Sequence, residues 1–334
     1  MPVSAAEVEP QPLFESNDTL AVTLTIPWRE LSRDRLGESE YRQANLSYVD
    51  PERGELTLPI EIRTRGKTRR RRKTCEMPPL RVKFDQDTAA DTLFASQRAL
   101  KLVTYCQDKS SFDQYVVLEY LAYRIQNLLT DYGQRVRLVQ VTYVDERSPT
   151  REFAVRYGIF LEHWRRVAQR TGTRAADVDG AVMMEALSAP DMGRIAVFNY
   201  LIGNDDWSAI WPEPKENCCH NTKPLFTSDG KIIPMPYDFD FAGMVDAPYA
   251  VAKPPNRDVR KRTYRGLCVT QTDLSETLPL FFEQREAIYD LVRNQAELRE
   301  SKRKSTLGYF DRFYDVISDP QQVQRRLVDK CRKE

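Results

Sequence analysis

Apolar residues in this chain recur at two spacings, and the place where the spacing changes limits its fold more than any other feature. "TLAVTLTIPW" (residues 19–28) alternates and is β-branched, the mark of a strand. "GELTLPIEIRTRG" (54–66), "PPLRVKFD" (78–85) and "RALKLVTYC" (98–106) keep that period, with Pro59 moving the first of these towards an edge or a bulge. The period then lengthens. In "SSFDQYVVLEYLAYRIQNLLTDYG" the residues Leu118, Leu121, Ala122, Ile125, Leu128 and Leu129 fall at helical spacing. Ser110, Ser111 or Asp113 can cap the start of that helix, and Gly133 can end it. Alternation returns in "RVRLVQVTYVDE" (135–146) and "REFAVRYGIFLEHW" (151–164), which predict a hairpin. Residues 19–165 thus predict an antiparallel sheet with one inserted helix.

Beyond it the pattern is mainly helical. Residues 180–203 read as helix with a break at Pro190, and the chain from about 273 onward reads as helix again. Between them "KPLFTSDGKIIPMPYDFD" holds two apolar runs joined by a Ser228-Asp229-Gly230 turn. A β-rich half with one helix followed by a helix-rich half predicts an α+β fold, not a doubly wound sheet. At 334 residues the chain suits one large domain or two lobes. The expected division is a flexible segment over 1–18, a first lobe over 19–165 and a second over 166–334.

Lys and Arg (50) balance Asp and Glu (49), so net charge does not make the molecule a polyanion binder. No apolar run approaches the roughly 20 residues of a membrane helix, so no membrane span is expected. Two histidines, His163 and His220, argue against a His-rich zinc site. The six cysteines contain no CxxC pair, and disulfides are compatible with export. The N-terminus has neither a basic nor an apolar signal region, although "SAAE" would suit the residues around a removed signal's cleavage point. Export to a periplasmic or extracellular place is favoured slightly over the cytoplasm.

The chemistry gathers in the second half. "LIGNDDW" (201–207) sets Asn204, Asp205 and Asp206 after an apolar run; "CCHN" brings His220-Asn221; "MPYDFDFAG" ends a strand with Asp238 and Asp240. Each motif alone reads as a loop or a strand end. Together and in this order they offer what phosphoryl transfer needs: one carboxylate to orient a nucleophile, and an amide oxygen with a second carboxylate to hold Mg²⁺ (or Mn²⁺) against nucleotide phosphates.

This ordered set resembles the CotH family of spore-coat and secreted atypical kinases, and more distantly the HipA-type kinases. "LIGNDDW", "CCHNTKPLF" and "IPMPYDFDFAG" carry the likeness, with an R-x-R-G strand end, "RVKF", "LKLV" and "LEYLAYRI" in the family's order before them. The resemblance covers roughly residues 55–245 and implies a two-lobed, protein-kinase-like fold. It also implies ATP and Mg²⁺ as cofactors and transfer of the γ-phosphoryl group to a hydroxyl, on a protein Ser or Thr. Asp206 then takes the catalytic role, and Asn221, Asp238 and Asp240 fall at the metal. Glu119 is the helix glutamate that pairs with a phosphate-binding lysine, for which Lys101 is favoured and Lys83 competes.

The chain has no glycine-rich phosphate loop. In its place stands "RTRGKTRRRRK" (63–73), eight basic residues in eleven, whose guanidinium groups, Arg65 included, could take phosphate oxygens. The run lacks aromatics for base stacking, so nucleic acid is not an expected partner. Five basic residues in "PPNRDVRKRTYRGLC" (254–268) suit an acidic or phosphate-bearing acceptor, an acidic protein among them. Cys218-Cys219 favours a disulfide bracing the loop, to Cys106, Cys75 or Cys268, over a metal site. The rival readings are a nucleotide-binding pseudokinase, an AMP-transferring enzyme, and a non-enzymatic polyanion-binding surface or coat protein.

Overall fold

The computed structural model describes residues 10–35, 39–214, 216–254, 256–268 and 274–333. The possible signal remnant at residues 4–7 lies outside them. The chain forms two compact units, Met1–Tyr120 with Arg135–His163 and Leu121–Gln134 with Trp164–Glu334.

The first unit is a closed barrel. Its strands are β1 (Leu20–Ile26), β2 (Arg42–Asp50), β3 (Gly54–Thr64), β4 (Leu80–Phe84), β5 (Ala99–Val103), β6 (Val136–Asp145) and β7 (Glu152–Leu161). They are ordered β1-β2-β3-β4-β5-β7-β6 around the barrel. Alternation decides which residues face inward. Leu24 lies opposite Leu46 on one side and Tyr143 on the other; Ile62 lies opposite Val82, Val82 opposite Leu100, and Leu102 opposite Phe160. All of these are buried in one apolar core, which Leu13 and Phe14 join from the short 3-10 turn Pro12–Phe14. Burying each such side chain is worth about 1.5–3 kcal/mol. Pro59 stands opposite Asn45 of β2, one position before the β3–β4 ladder begins at Ile60. Two short helices, α1 (Trp28–Arg33) and α2 (Gln86–Ala89), and the long α3 (Ser110–Leu129) complete this part of the chain; α3 contributes its residues from Leu121 onward to the second unit.

The second unit has a small sheet of its own, β10-β9-β8, from β8 (Arg174–Ala175), β9 (Thr222–Phe226) and β10 (Ile232–Pro236). The β9–β10 hairpin turns at Thr227–Lys231, with Gly230 at φ 83°. Around the sheet are α4 (Trp164–Arg170), α5 (Ala189–Ile202), α6 (Leu274–Glu283), α7 (Arg285–Arg293), α8 (Glu300–Ile317) and α9 (Pro320–Arg326). Helix α5 is buried at nearly every position from Met192 to Ile202, as suits a helix that is apolar all round. Phe281, Phe310, Phe313 and Tyr314 pack α6 against α8. Among the described residues, no helix is long and apolar enough to cross a membrane.

Three expectations are corrected. The two-lobed, protein-kinase-like α+β fold, with a β-rich N-lobe holding one helix and a helix-rich C-lobe, is overturned by the closed mixed barrel and the separate small sheet. Its cause is the parallel ladder between β1 and β6, seven paired positions from Leu20–Val139 to Ile26–Asp145, which joins the two ends of what would otherwise be an antiparallel sheet. The helix expected over residues 180–203 begins only at Ala189: Pro190 stands in the first turn of α5, where its missing N–H costs nothing, and Met184–Ala186 before it form a separate 3-10 turn. Cys218 and Cys219 do not brace a distant segment; they are disulfide-bonded to each other, while Cys75 pairs with Cys106 and Cys268 with Cys331.

Candidate functional site

Helix α5 delivers the acidic loop, and the accounting of its last carbonyls shows how firmly. A helix end leaves its final C=O groups without intrahelical partners. Here Gly203, in the left-handed conformation at φ 69°, donates back to Tyr200, and the Asn204 amide donates to Asn199. The half-buried Arg262 guanidinium donates to the carbonyls of Tyr200, Leu201 and Tyr309. The amides of Met244 and Gly243 donate to Ile202 and Gly203. The loop after α5 is thereby tied to the segment after Asp240. Asn204 is itself locked: its amide donates to Asn199 Oδ1 (2.9 Å), and its Oδ1 accepts from the Asp206 amide (3.1 Å).

That lock presents Asp206 to three partners. His220 Nε2 and Lys253 Nζ each lie 2.8 Å from Asp206 Oδ1. Asn221 Nδ2 donates to the Asp206 carbonyl (2.7 Å) and reaches Oδ2 (3.3 Å). The other ring nitrogen of His220 faces Glu213 Oε1 at 3.3 Å. The 206–211 and 218–222 segments are laced by Ser208 N to His220 O, His220 N to Trp211 O and Thr222 Oγ1 to Ser208 O. Burial alone would raise the Asp206 pKa, but the hydrogen bonds and charges of His220 and Lys253 outweigh it and hold the carboxyl below its ordinary value. Asp205 goes the other way. Burial raises it, against the opposing pull of Asn256, whose amide lies 3.5 Å from Oδ2, and of Arg265. Adjacent acids with pKa values pushed apart have different chemical capacities at neutral pH.

Asp238 follows β10 in the left-handed region at φ 67°, and Asn221 precedes β9 at φ 51°. The Asp238 amide donates to the Tyr123 hydroxyl (2.9 Å), and the Tyr237 amide to the Asn221 carbonyl (3.0 Å). Phe239 is fully buried between Tyr123 and Phe198. Asp240 is buried beside it.

The metal implied by the motif set can be tested on donor chemistry. Among the described residues no side chain donates to the Asp238 carboxylate and nothing donates to the Asn221 amide oxygen, while the Asn221 N–H groups are turned to Asp206. A hard carboxylate and an amide oxygen fit Mg²⁺, which keeps several waters and takes one or two protein carboxylates besides phosphate oxygens. No group of three or more His, Cys, Asp or Glu is placed to hold a metal among the described residues.

The remaining candidates belong to the barrel unit. Lys83, half exposed on β4, is ion-paired with Glu61. Lys101 of β5 lies opposite Arg81 and Leu161, between the core residues Leu100 and Leu102. Glu119 is buried, with Arg69 Nη1 at 3.7 Å, and Arg69 also donates to the Thr104 carbonyl. Arg65 is half-buried, its amide bonded to Pro79. The arginine run is folded back onto its own unit, with Arg70 on the Asp34 carbonyl and Arg72 on that of Ser32. In the second basic segment, Arg260 pairs with Asp246 and Arg262 caps α5, which leaves Arg257 and Lys261 exposed.

Lys253 and Asn256 were not among the sequence candidates. Each comes from a segment more than forty residues beyond the acid it meets, and no local pattern marks it. The chain matches no protein-family model and no curated protein.

Proposed function

We propose that the second unit carries the catalytic groups of an ATP- and Mg²⁺-dependent phosphotransferase acting on a hydroxyl acceptor, a protein Ser or Thr. The observation that carries the reading is a division of labour between two carboxylates. Asp206 is held by His220, Lys253 and Asn221, while Asp238, in the following motif, has a carboxylate with no side-chain donor among the described residues. The first is a fixed acceptor; the second is available to a cation.

Asp206 Oδ1 is occupied, so the acceptor hydroxyl would donate to Oδ2. Held below its ordinary pKa, Asp206 is ionised at neutral pH and orients the hydroxyl more than it strips it. That suits a loose phosphoryl-transfer transition state, in which positioning and charge neutralisation do most of the work. His220, braced by Glu213, fixes the carboxylate plane. Asn221 and Asp238 would hold Mg²⁺, whose bound charge neutralises phosphate oxygens.

The test is label transfer from ATP in the presence of Mg²⁺ to a protein acceptor. Label from the γ-phosphate supports the reading; label from the α-phosphate would establish AMP transfer instead. Nucleotide binding without any transfer would leave a pseudokinase. Asp206→Ala should keep nucleotide binding and lower turnover by about a hundredfold or more, whereas Asp238→Ala should weaken Mg²⁺-dependent binding itself. Unchanged turnover in both variants would overturn the assignment.

A further inference from the structure

We propose that Lys253 is a phosphate-binding cation of this site, its ammonium contacting the terminal phosphoryl oxygens of bound ATP; the inference rests on the phosphotransferase reading. Lys253 stands against the central carboxylate of the site. Its Nζ lies 2.8 Å from Asp206 Oδ1, the carboxylate that would orient the acceptor, and its side chain is 41% exposed. An ammonium has three donors. One is used by Asp206, and among the described residues no other partner takes the rest. A cation so placed is both anchored and open.

The charge around the acids points the same way. His220 and Lys253 both sit on Asp206 Oδ1, and Arg265 lies within electrostatic reach of Asp205 and Asp206. Among the described residues no hydrogen-bond partner meets the buried Arg265 Nε. Lys253 and Arg265 thus bring positive charge to the two adjacent carboxylates. Glu213, on the far side of His220, is the other acid in contact with the cluster. Phosphoryl oxygens entering beside Asp206 would meet the ammonium donors that Asp206 leaves open. Lys253 would be shared between carboxylate and phosphate, and so would not be left uncompensated in either state.

Chemistry favours the lysine for this task over its neighbours. Arg260 is spent on Asp246, and Arg262 is spent on helix carbonyls. Lysine presents a compact charge with rotatable donors, which can follow a phosphoryl group as its charge spreads over the equatorial oxygens. The contact is therefore with the terminal phosphate, and ATP and ADP should differ in their need for it.

The experiment measures ATP and ADP affinity calorimetrically with Mg²⁺ on the whole chain, for the wild type, Lys253→Met, Lys253→Gln, Lys253→Arg, Asp206→Asn, and Asp206→Asn combined with Lys253→Met. Both neutral variants should lose about tenfold or more in ATP affinity and stay within about twofold for ADP, and Lys253→Arg should recover most of the loss. The loss should persist in the Asp206→Asn background. If it vanishes there, Lys253 serves only to neutralise Asp206 and the proposal fails. Equal losses for ATP and ADP would overturn it as well. A wild type that transfers γ-phosphate while Lys253→Met binds ATP normally removes this inference alone. A wild type that binds neither nucleotide removes the phosphotransferase reading and this inference with it.

Discussion

The Tyr309 hydroxyl occupies the space into which any side chain at Gly203 would project, and it faces Gly243 from the same position. Two glycines, one ending α5 and one following Asp240, meet over a single phenol, with the Gly243 amide bonded to the Gly203 carbonyl. Arg262 lies over the same ring at 3.6 Å. Tyr309 is thus the floor under both acid-bearing loops.

Gly203→Ala should be among the costly glycine replacements in this chain. It places a Cβ in a left-handed backbone, about 1–2 kcal/mol, and drives it into the Tyr309 hydroxyl, about 1–3 kcal/mol more. Urea denaturation should show the combined loss, and adding Tyr309→Phe should recover the steric part only. A Gly203→Ala protein as stable as the wild type would show that the loop does not rest on Tyr309.

Asp206 should contribute to acid sensitivity with a definite sign. Its folded pKa lies below the ordinary value of about 3.9, so its stabilisation is present above that value and is lost as pH falls through the lower folded one. The stability gap between the wild type and Asp206→Asn should therefore shrink as pH drops through that window. His220→Gln or Lys253→Met should move the Asp206 carboxyl upward in a ¹³C NMR titration, because burial then acts with less opposition.

Leu24→Ala probes the barrel closure. Leu24 is fully buried between Leu46 of β2 and Tyr143 of β6, at the junction of the antiparallel and parallel ladders. The cavity should cost about 2–5 kcal/mol in equilibrium unfolding. A loss well under 1 kcal/mol would mean that the β1–β6 seam carries little of the packing.

Local structure was legible in the sequence where local physics decides it. Alternation located β1, β3, β4, β5 and the β6–β7 hairpin; the helical period located α3; and Ser228-Asp229-Gly230 located the β9–β10 turn. Strand β2 went unread because Arg, Gln, Asn and Ser surround its inward Ala44, Leu46 and Tyr48. Closure was illegible for a different reason. Whether β1 finds β6 is settled by pairing across more than a hundred residues, and no window of sequence contains it. The site divides in the same way. His220-Asn221 and the acids stand in recognisable polar motifs at element ends, whereas Lys253 reaches Asp206 only through the tertiary course of the chain.

The interleaving of the two units sets an order of events during synthesis. The first unit consists of two stretches of chain separated by residues 121–134, which belong to the second. Strand β1 is made early, yet its partner β6 begins only at Val136. Until that strand leaves the ribosome, the nascent barrel is a curl with two bare edges, the condition that invites pairing with other chains. No single cut can release either unit whole. A truncation ending inside α3 would strip the barrel of its last two strands, so a series of shortened chains should yield insoluble product until the chain extends past Leu161.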